Sequence, residues 1–180
     1  MSEAGASRPG TPGASAGGEP GPEILEQLRR SGIRIDREGE FQHEGAPVRH
    51  EGLRRALFRW LDRLDDGRTV LRLDERRFAF VDVDDTPLVA RAARFDGDVV
   101  LLALSDGSEE PLEPATLTVD DAGVLRCLVR GGRLEARLAN SAAAILGQVI
   151  EDAPAGQAGA PVLTLRGRAY RLAPRPAARR

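Results

Sequence analysis

Few residues of this chain could do chemistry, and arginine dominates them. All 26 basic residues are arginine, so mechanisms that need a lysine amine, such as Schiff-base formation or a Walker-type phosphate loop, are excluded. One cysteine, Cys127, and two histidines, His43 and His50, are too few for a Cys/His zinc site or a paired-cysteine redox motif. The sequence therefore identifies no substrate or reaction, and it predicts no cofactor.

Three aspartates, Asp82, Asp84 and Asp85, stand close together before Thr86 and Pro87. Closely spaced carboxylates can hold a divalent cation or act as acid and base, which would suit a metal-assisted hydrolase. A solvated turn, whose aspartates accept backbone N–H groups, explains the same spacing. Both interpretations stay open.

Arginines are dense in the C-terminal third of the chain. Arg126 and Arg130 are predicted to share one face of a strand, and four more arginines follow: Arg133, Arg137, Arg166 and Arg168. Guanidinium groups bind phosphates and carboxylates through paired hydrogen bonds. This cluster is the best anion-binding candidate in the sequence, and the alternative is a solvated sheet face that pairs with acidic residues elsewhere.

The net charge of −2 conceals a segregation along the chain. Residues 78–121 contain 11 acids and two arginines, whereas residues 122–180 contain ten arginines and three acids. Either these parts attract one another, or the basic part faces an anionic partner. Aromatic residues make up only 4 %, which argues against a nucleic-acid partner because single-strand binders need stacking platforms.

The remaining reactive side chains have structural explanations. Cys127 alternates with apolar neighbours at strand spacing, which predicts a buried thiol, and Trp60 lies on the apolar stripe of a helix. His43 is expected in a strand and His50 near the start of that helix, where the two could converge only as a poor metal site.

Composition divides the chain into four segments. Residues 1–22 contain 17 Gly, Pro, Ala or Ser and are predicted to be a disordered tail, as is the proline-broken end, residues 173–180. Between them we expect an N-terminal α+β half, residues 23–82, and a C-terminal barrel-like half, residues 83–172. The longest apolar run, Val99 to Leu104, is too short to span a membrane, so we expect a cytoplasmic protein.

Periodicity predicts antiparallel hairpins with one packed helix in each half. Helical spacing extends from Glu51 to Leu64 and, after a cap at Asn140 or Ser141, to Glu151; a short helix is also expected from Glu23 to Ser31. Alternating apolar residues around turn residues predict five hairpins. These pair residues 33–35 with 41–43, 70–73 with 78–81, 88–95 with 99–104, 116–119 with 124–129, and 162–165 with 169–172.

The two halves share a sequence pattern. Apolar, aspartate and glycine positions in residues 33–41, including Asp36 and Gly39, recur in residues 117–125 as Asp120 and Gly123, a constant offset of 84. A helix and a hairpin follow each copy, which favours an internal duplication, although Asp-x-x-Gly turns are common enough to agree by chance. Two related halves usually leave a crevice, and crevices are preferred ligand sites.

Several short motifs resemble the bacterial family called domain of unknown function 1285. They are the segment from Ile33 to Val48, Leu57-Phe58 within the helix, residues 83–88 with Asp84 and Asp85, and residues 128–137. The resemblance implies a two-part duplicated fold, a C-terminal part like a pleckstrin-homology barrel, and a nucleotide-like ligand between the parts with a link to signalling. It implies no enzyme activity.

The sequence thus favours a non-catalytic protein that binds a small, nucleotide-like anion where the halves meet. The ligand-binding candidates are Arg49, His43, Asp84, Asp85, Arg130 and Arg137. A protein-interaction module without a small ligand, whose partner surface would include Arg126 and Arg130, and the metal-assisted hydrolase are the alternatives.

Overall fold

The computed structural model describes residues 30–151 and 159–175. The predicted tail 1–22, most of the predicted helix 23–31 and residues 176–180 lie outside the described residues. The predicted helix overlaps the described residues at Arg30 and Ser31. There the prediction is wrong, because both residues belong to a strand. The strands are β1 (Arg30–Ile35), β2 (Phe41–His43), β3 (Ala46–Pro47), β4 (Leu61–Arg63), β5 (Thr69–Arg72), β6 (Phe78–Val83), β7 (Leu88–Asp96), β8 (Val99–Leu104), β9 (Glu109–Pro111), β10 (Thr118–Val119), β11 (Leu125–Val129), β12 (Leu134–Leu138), β13 (Ile150–Glu151), β14 (Val162–Leu165), β15 (Arg168–Arg171) and β16 (Ala173–Pro174).

The strands form a six-stranded, a seven-stranded and a three-stranded sheet within an α+β fold. Their orders are β3-β2-β1-β6-β5-β4, β16-β10-β11-β12-β7-β8-β9 and β13-β14-β15. All five predicted hairpins are present as antiparallel pairs. Three parallel pairs, β1 with β6, β12 with β7 and β10 with β16, join hairpins that are distant in sequence. No helix in the described ranges is long and apolar enough to cross a membrane.

Helix α1 (Glu51–Trp60) is shorter than its apolar stripe predicted. His50 caps its start, because the imidazole Nδ1 accepts a hydrogen bond from the backbone N–H of Leu53 at 3.1 Å. The prediction to Leu64 is wrong, because Leu61 turns into β4 and pairs with Leu71 of β5. Strand pairing and burial of Leu61 thus outweigh the helical periodicity that continues through it.

Helix α2 (Asn140–Leu146) also ends early, and the predicted continuation to Glu151 is wrong. Ala139 is the N-cap, not Asn140 or Ser141, and the hydroxyl of Ser141 instead donates to the carbonyl of Arg91. Ile150 pairs with Leu163 in the three-stranded sheet. A strand therefore replaces what the sequence predicted as the last helical turn.

One hydrophobic cluster runs through both predicted halves. It contains Ile35, Phe41 and Phe58 together with Leu102 and Leu138, all almost fully buried. Phe41 and Phe58 meet edge to face, with ring centroids 4.7 Å apart, and attach α1 to β2. Because the core is continuous, the six-stranded and the seven-stranded sheet are held in contact along a boundary that we call the seam.

The two Asp-x-x-Gly turns have the same local hydrogen bonds. The carboxylate of Asp36 accepts the N–H groups of residues 38 and 40, and that of Asp120 accepts those of residues 122 and 124. Both glycines, Gly39 and Gly123, have φ near +78°, a conformation that favours glycine. Gly39 also packs tightly at the seam, where an added Cβ would lie 3.0 Å from Val89, whereas Gly123 faces open space.

The C-terminal boundary also differs from the prediction. A disordered tail was expected from residue 173, but Ala173–Pro174 form β16, and the N–H of Arg175 donates to the carbonyl of Val119. The chain therefore stays in the fold through Arg175, whose side chain enters the site described next.

Candidate functional site

Asp85 lies at the centre of a group of arginines on the seven-stranded sheet. Arg126 donates to one of its carboxylate oxygens at 2.8 Å, Arg137 lies 3.1 Å from the other, and Arg175 lies within 3.7 Å. We call these four residues the Asp85 cluster. Arg126 also binds Asp120 at 2.6 Å, and only 7 % of its side chain is exposed. Its charge is therefore neutralised inside the protein, as a buried charge requires.

Most other described arginines also face carboxylates. Arg130 pairs with Asp106, Arg133 with Asp62, and Arg175 with Glu135. Asp106 lies in the acidic residues 78–121, and so do both acidic partners of Arg126. This favours the interpretation that the basic and acidic parts of the chain attract one another. It also removes the basis of the predicted partner surface at Arg126, because Arg126 is 5 % exposed.

Arg130 and Arg133 bring the β11–β12 turn to the seam. Arg130 has φ +52°, a left-handed conformation that costs a non-glycine residue about 1–2 kcal/mol. Its backbone N–H donates to the carboxylate of Glu110, and its guanidinium donates to Asp106 and to the carbonyl of Leu61 across the seam. Arg130 is therefore in the turn, and the predicted common strand face with Arg126 is wrong.

A cleft of about 240 Å³ opens at this part of the seam. Its first wall is the end of α1 and the strands β4 and β5, and its second is the β11–β12 turn. We call it the seam cleft, and its lining residues are Arg59, Trp60, Leu61, Asp62, Arg72, Arg130, Arg133 and Leu134. It thus contains four guanidinium groups, one carboxylate and the chain's single tryptophan.

The four arginines of the seam cleft differ in how they are held. Asp62 accepts from Arg72 Nε at 2.8 Å and from Arg133 Nε and Nη2 at 2.8 and 2.7 Å. Arg59, in the last turn of α1, is exposed, and its side chain makes no hydrogen bond or ion pair within the described part of the chain. Its guanidinium is therefore available to an anion that enters the cleft.

Asp62 keeps its negative charge in this setting. Partial burial alone would raise the pKa of its carboxyl, but the hydrogen bonds from Arg133 and from the backbone of Arg63 and the nearby charges of Arg133 and Arg72 lower it below the ordinary value. The seam cleft therefore holds a permanent carboxylate beside its arginines at neutral pH.

Asp84 and Asp85 are adjacent in sequence but belong to different ion pairs. Asp84 pairs with Arg34 of β1, on the exposed side, whereas Asp85 points into its arginine cluster. Each carboxylate faces guanidinium groups, which suits neither metal binding nor acid–base chemistry. Among residues 30–151 and 159–175, no three His, Cys, Asp or Glu side chains are grouped to hold a metal ion. A solvated turn also fails to explain the two aspartates fully, because each carboxylate pairs with a guanidinium group.

The other predicted ligand residues are not gathered at the seam cleft. His43 is exposed in β2, and Arg49 is exposed in the loop before α1. Arg137 lies in the Asp85 cluster and donates to the carbonyl of Arg37 at 2.7 Å. Arg166 and Arg168 lie at the β14–β15 turn, where Arg166 donates to the carbonyl of Asp98. Of the predicted set, only Arg130 lines the cleft.

Four functional side chains of the seam cleft were missed by sequence reasoning: Arg59, Trp60, Asp62 and Arg72. Trp60 does pack against the core as predicted, but it also faces the cleft. Sequence reasoning extended α1 to Leu64 and therefore missed this part of the site. The chain instead turns into β4 after Trp60, so the end of α1 and the start of β4 line the cleft.

Cys127 is buried within the core, as predicted. Burial in apolar surroundings, with a smaller effect from Glu110 and Glu135, raises the pKa of its thiol to about 12. We therefore expect no reaction of the native protein with a thiol reagent such as dithionitrobenzoate at pH 8 over an hour, and one thiol per chain to react in 6 M guanidinium chloride. A fast native reaction would contradict this buried setting.

A larger cavity, about 640 Å³, lies beside β1 and β6. Its lining includes Arg30, Ser31, Phe80 and Asp82. All of its lining residues lie between Arg30 and Val83. The seam cleft, by contrast, has walls from both sides of the seam, where the sequence predicted a ligand.

Comparison with known proteins gives a relationship of fold. No family model matches the sequence, and no curated protein matches it. A DUF1285 family protein from Silicibacter pomeroyi DSS-3 aligns with a TM-score of 0.63 at 22 % identity, over 80 % of each chain. A DUF1285 family protein from Shewanella baltica OS155 aligns with a TM-score of 0.51 at 16 % identity, over 61 % of this chain and 84 % of the other. The resemblance found in the sequence motifs is thereby confirmed in the fold.

Proposed function

For a chain that has the fold of these DUF1285 family proteins, we propose the function of a non-catalytic binder of a small phosphorylated anion, with the seam cleft as its site. The observation that carries the proposal is Arg59, whose guanidinium has no partner within residues 30–151 and 159–175 and lies beside three others and a tryptophan. Planar guanidinium groups bind phosphoryl oxygens in pairs. The indole of Trp60 offers a flat apolar surface to an attached ring, so a nucleotide is one ligand of suitable chemistry.

Charge in the cleft supports an anion over a neutral or cationic ligand. The four arginines Arg59, Arg72, Arg130 and Arg133 outnumber the carboxylates that contact them, Asp62, Asp106 and Glu110. One positive charge is therefore uncompensated. In a cleft partly screened from water, such an excess attracts anions more strongly than the same charges on an open surface.

The proposal includes the origin of the seam in two related halves, residues 23–82 and 83–172, with the second half like a pleckstrin-homology barrel. The matching hydrogen bonds of the turns at Asp36 and Asp120 support a duplication. In each copy the first strand of the turn also has a parallel neighbour from later in the chain: β1 pairs with β6, the second strand of the following hairpin, and β10 pairs with β16, which comes directly after the following hairpin. The predicted cytoplasmic location and link to signalling stay predictions.

Replacing Arg59 by glutamine tests the site. We expect the Arg59→Gln variant to bind a phosphorylated ligand about tenfold more weakly, because one charge-assisted contact is worth roughly 1.4 kcal/mol or more. The free energy of unfolding should change by less than about 0.5 kcal/mol, because the side chain is exposed and has no partner among the described residues. The measurement is a titration of Trp60 fluorescence with ATP, AMP, pyrophosphate and inorganic phosphate.

Arg55→Gln is the matched control. Arg55 lies one turn earlier on α1, is exposed, and makes only a 3.6 Å ion pair with Glu51. This variant should bind as the wild type does. Absence of binding by the wild-type protein across the panel, at millimolar concentrations, would sink the proposal. An equal loss of affinity in both variants would mean that Arg59 acts through its long-range charge and not through contact with the ligand.

A further inference from the structure

The carboxylate of Asp62 is held as a bound anion would be. Its two oxygens accept three hydrogen bonds from two guanidinium groups, those of Arg72 and Arg133, and a fourth from the backbone N–H of Arg63. The two arginines come from opposite sides of the seam, one from β5 and one from the β11–β12 turn. Convergence of two arginines on one pair of oxygens is the arrangement that recognises carboxylates and phosphates.

We propose that Asp62 is an internal competitor that occupies the anion position of the seam cleft and sets the charge that a ligand must carry to bind there. The inference rests on the proposed function. A ligand with one negative charge gains little by replacing Asp62, because the tethered carboxylate already supplies that charge at high effective concentration. A phosphoryl dianion carries more charge and a third oxygen, so it can take Arg72 and Arg133 from Asp62 and also reach Arg59.

The position of Asp62 allows this exchange. Its side chain is 19 % exposed, so the carboxylate can turn toward water when its partners are taken. Arg133 is 59 % exposed, so its side chain can move to contact a ligand. Arg130 is bonded to Asp106 and to the carbonyl of Leu61, and it stays in place as part of the cleft wall. Asp62 is therefore a residue that determines specificity, and its role differs from that of the arginines that hold the ligand.

The test is the Asp62→Asn variant, which has nearly the same shape and retains one acceptor oxygen for Arg133. Pyrophosphate, inorganic phosphate and acetate are titrated against the full-length protein by calorimetry and by Trp60 fluorescence. We expect pyrophosphate to bind about five- to tenfold more tightly than to the wild type. The affinity for acetate should increase by a larger factor than the affinity for pyrophosphate. The ratio of the pyrophosphate affinity to the acetate affinity should therefore be smaller than in the wild type.

Asp66→Asn is the control for a general charge effect. Asp66 belongs to the same half, pairs with Arg68 and does not line the cleft, so the variant loses the same charge elsewhere. It should bind each anion as the wild type does. Thermal unfolding of all three proteins before titration establishes that they are folded at the temperature used.

The possible outcomes separate the two proposals. If the wild type binds pyrophosphate and Asp62→Asn binds it equally or more weakly, Asp62 positions the arginines and the competitor role is overturned, while the anion site stands. If Asp62→Asn alone binds, the competitor role of Asp62 is supported, while the proposed function of the wild-type protein fails. If neither protein binds any of the three anions, both fail. An equal gain in Asp66→Asn would also overturn the specific role of Asp62.

Discussion

The Asp85→Asn variant is expected to unfold with a free energy about 3 kcal/mol below that of the wild type. Asp85 neutralises Arg126, whose side chain is 7 % exposed, and it also faces Arg137 and Arg175. Removal of its charge leaves Asp120 as the one carboxylate on Arg126 and brings three guanidinium groups together without their common partner. An uncompensated buried charge is costly because neither water nor a counter-ion replaces the lost partner.

Asp84→Asn is the control for this prediction. Asp84 is the neighbouring residue and pairs with an arginine as well, but Arg34 is 58 % exposed. A surface ion pair contributes about 0–1 kcal/mol, so this variant should lose no more than that. Urea unfolding followed by circular dichroism measures both. Similar, small losses in the two variants would contradict the structural role of Asp85.

The comparison of these aspartates explains why the candidate site was only partly predictable. Spacing along the chain predicted that Asp84 and Asp85 would act together, but they lie in the bend between β6 and β7, where Asp84 faces Arg34 of β1 and Asp85 faces Arg126 of β11. Their partners, Arg34 and Arg126, are 50 and 41 residues away. Pairings at such separation depend on which strands are neighbours, and a single sequence does not contain that information.

Local patterns predicted the hairpins well because turn residues and period-two alternation act over a few residues. The Asp-x-x-Gly turns at Asp36 and Asp120 form as their side-chain chemistry requires. Helix ends were less predictable. Leu61 continues the helical stripe of α1 and Ile150 lies within the range predicted for the second helix, but both pair in strands, with β5 and β14 respectively.

The charge segregation along the chain was visible in the sequence. The sequence left open whether the basic part pairs with the acidic part or faces an anionic partner. The basic C-terminal third pairs largely with acids of the middle and with Asp62, so the near-neutral total reflects internal compensation. Arg59 is one of several described arginines without an ion pair, and among these it is the one that lines the seam cleft.

The Arg130→Ala variant is expected to lose about 3 kcal/mol of stability, because its partner Asp106 is only 6 % exposed and would be left as a buried, unpaired carboxylate. The variant also removes the hydrogen bond to the carbonyl of Leu61, which ties the β11–β12 turn to the other side of the seam. Arg130→Gly should lose about 1 kcal/mol less than Arg130→Ala, because glycine adopts φ +52° without strain. Arg133→Ala, at an exposed pair, should lose about 1 kcal/mol or less.

The pH dependence of unfolding distinguishes this mechanism from a general loss of packing. Burial acts to raise the pKa of Asp106, but hydrogen bonds from Ser108 and Arg130 outweigh it and leave the pKa below the ordinary value. A carboxyl with a lowered pKa stabilises the fold above its unfolded pKa, about 3.9, and loses that contribution as the pH falls through its folded pKa. The difference in unfolding free energy between wild type and Arg130→Ala should therefore shrink as the pH is lowered from 5 to 2.5. A difference that stays constant over this range would mean that Arg130 stabilises the turn through packing, not through the charge of Asp106.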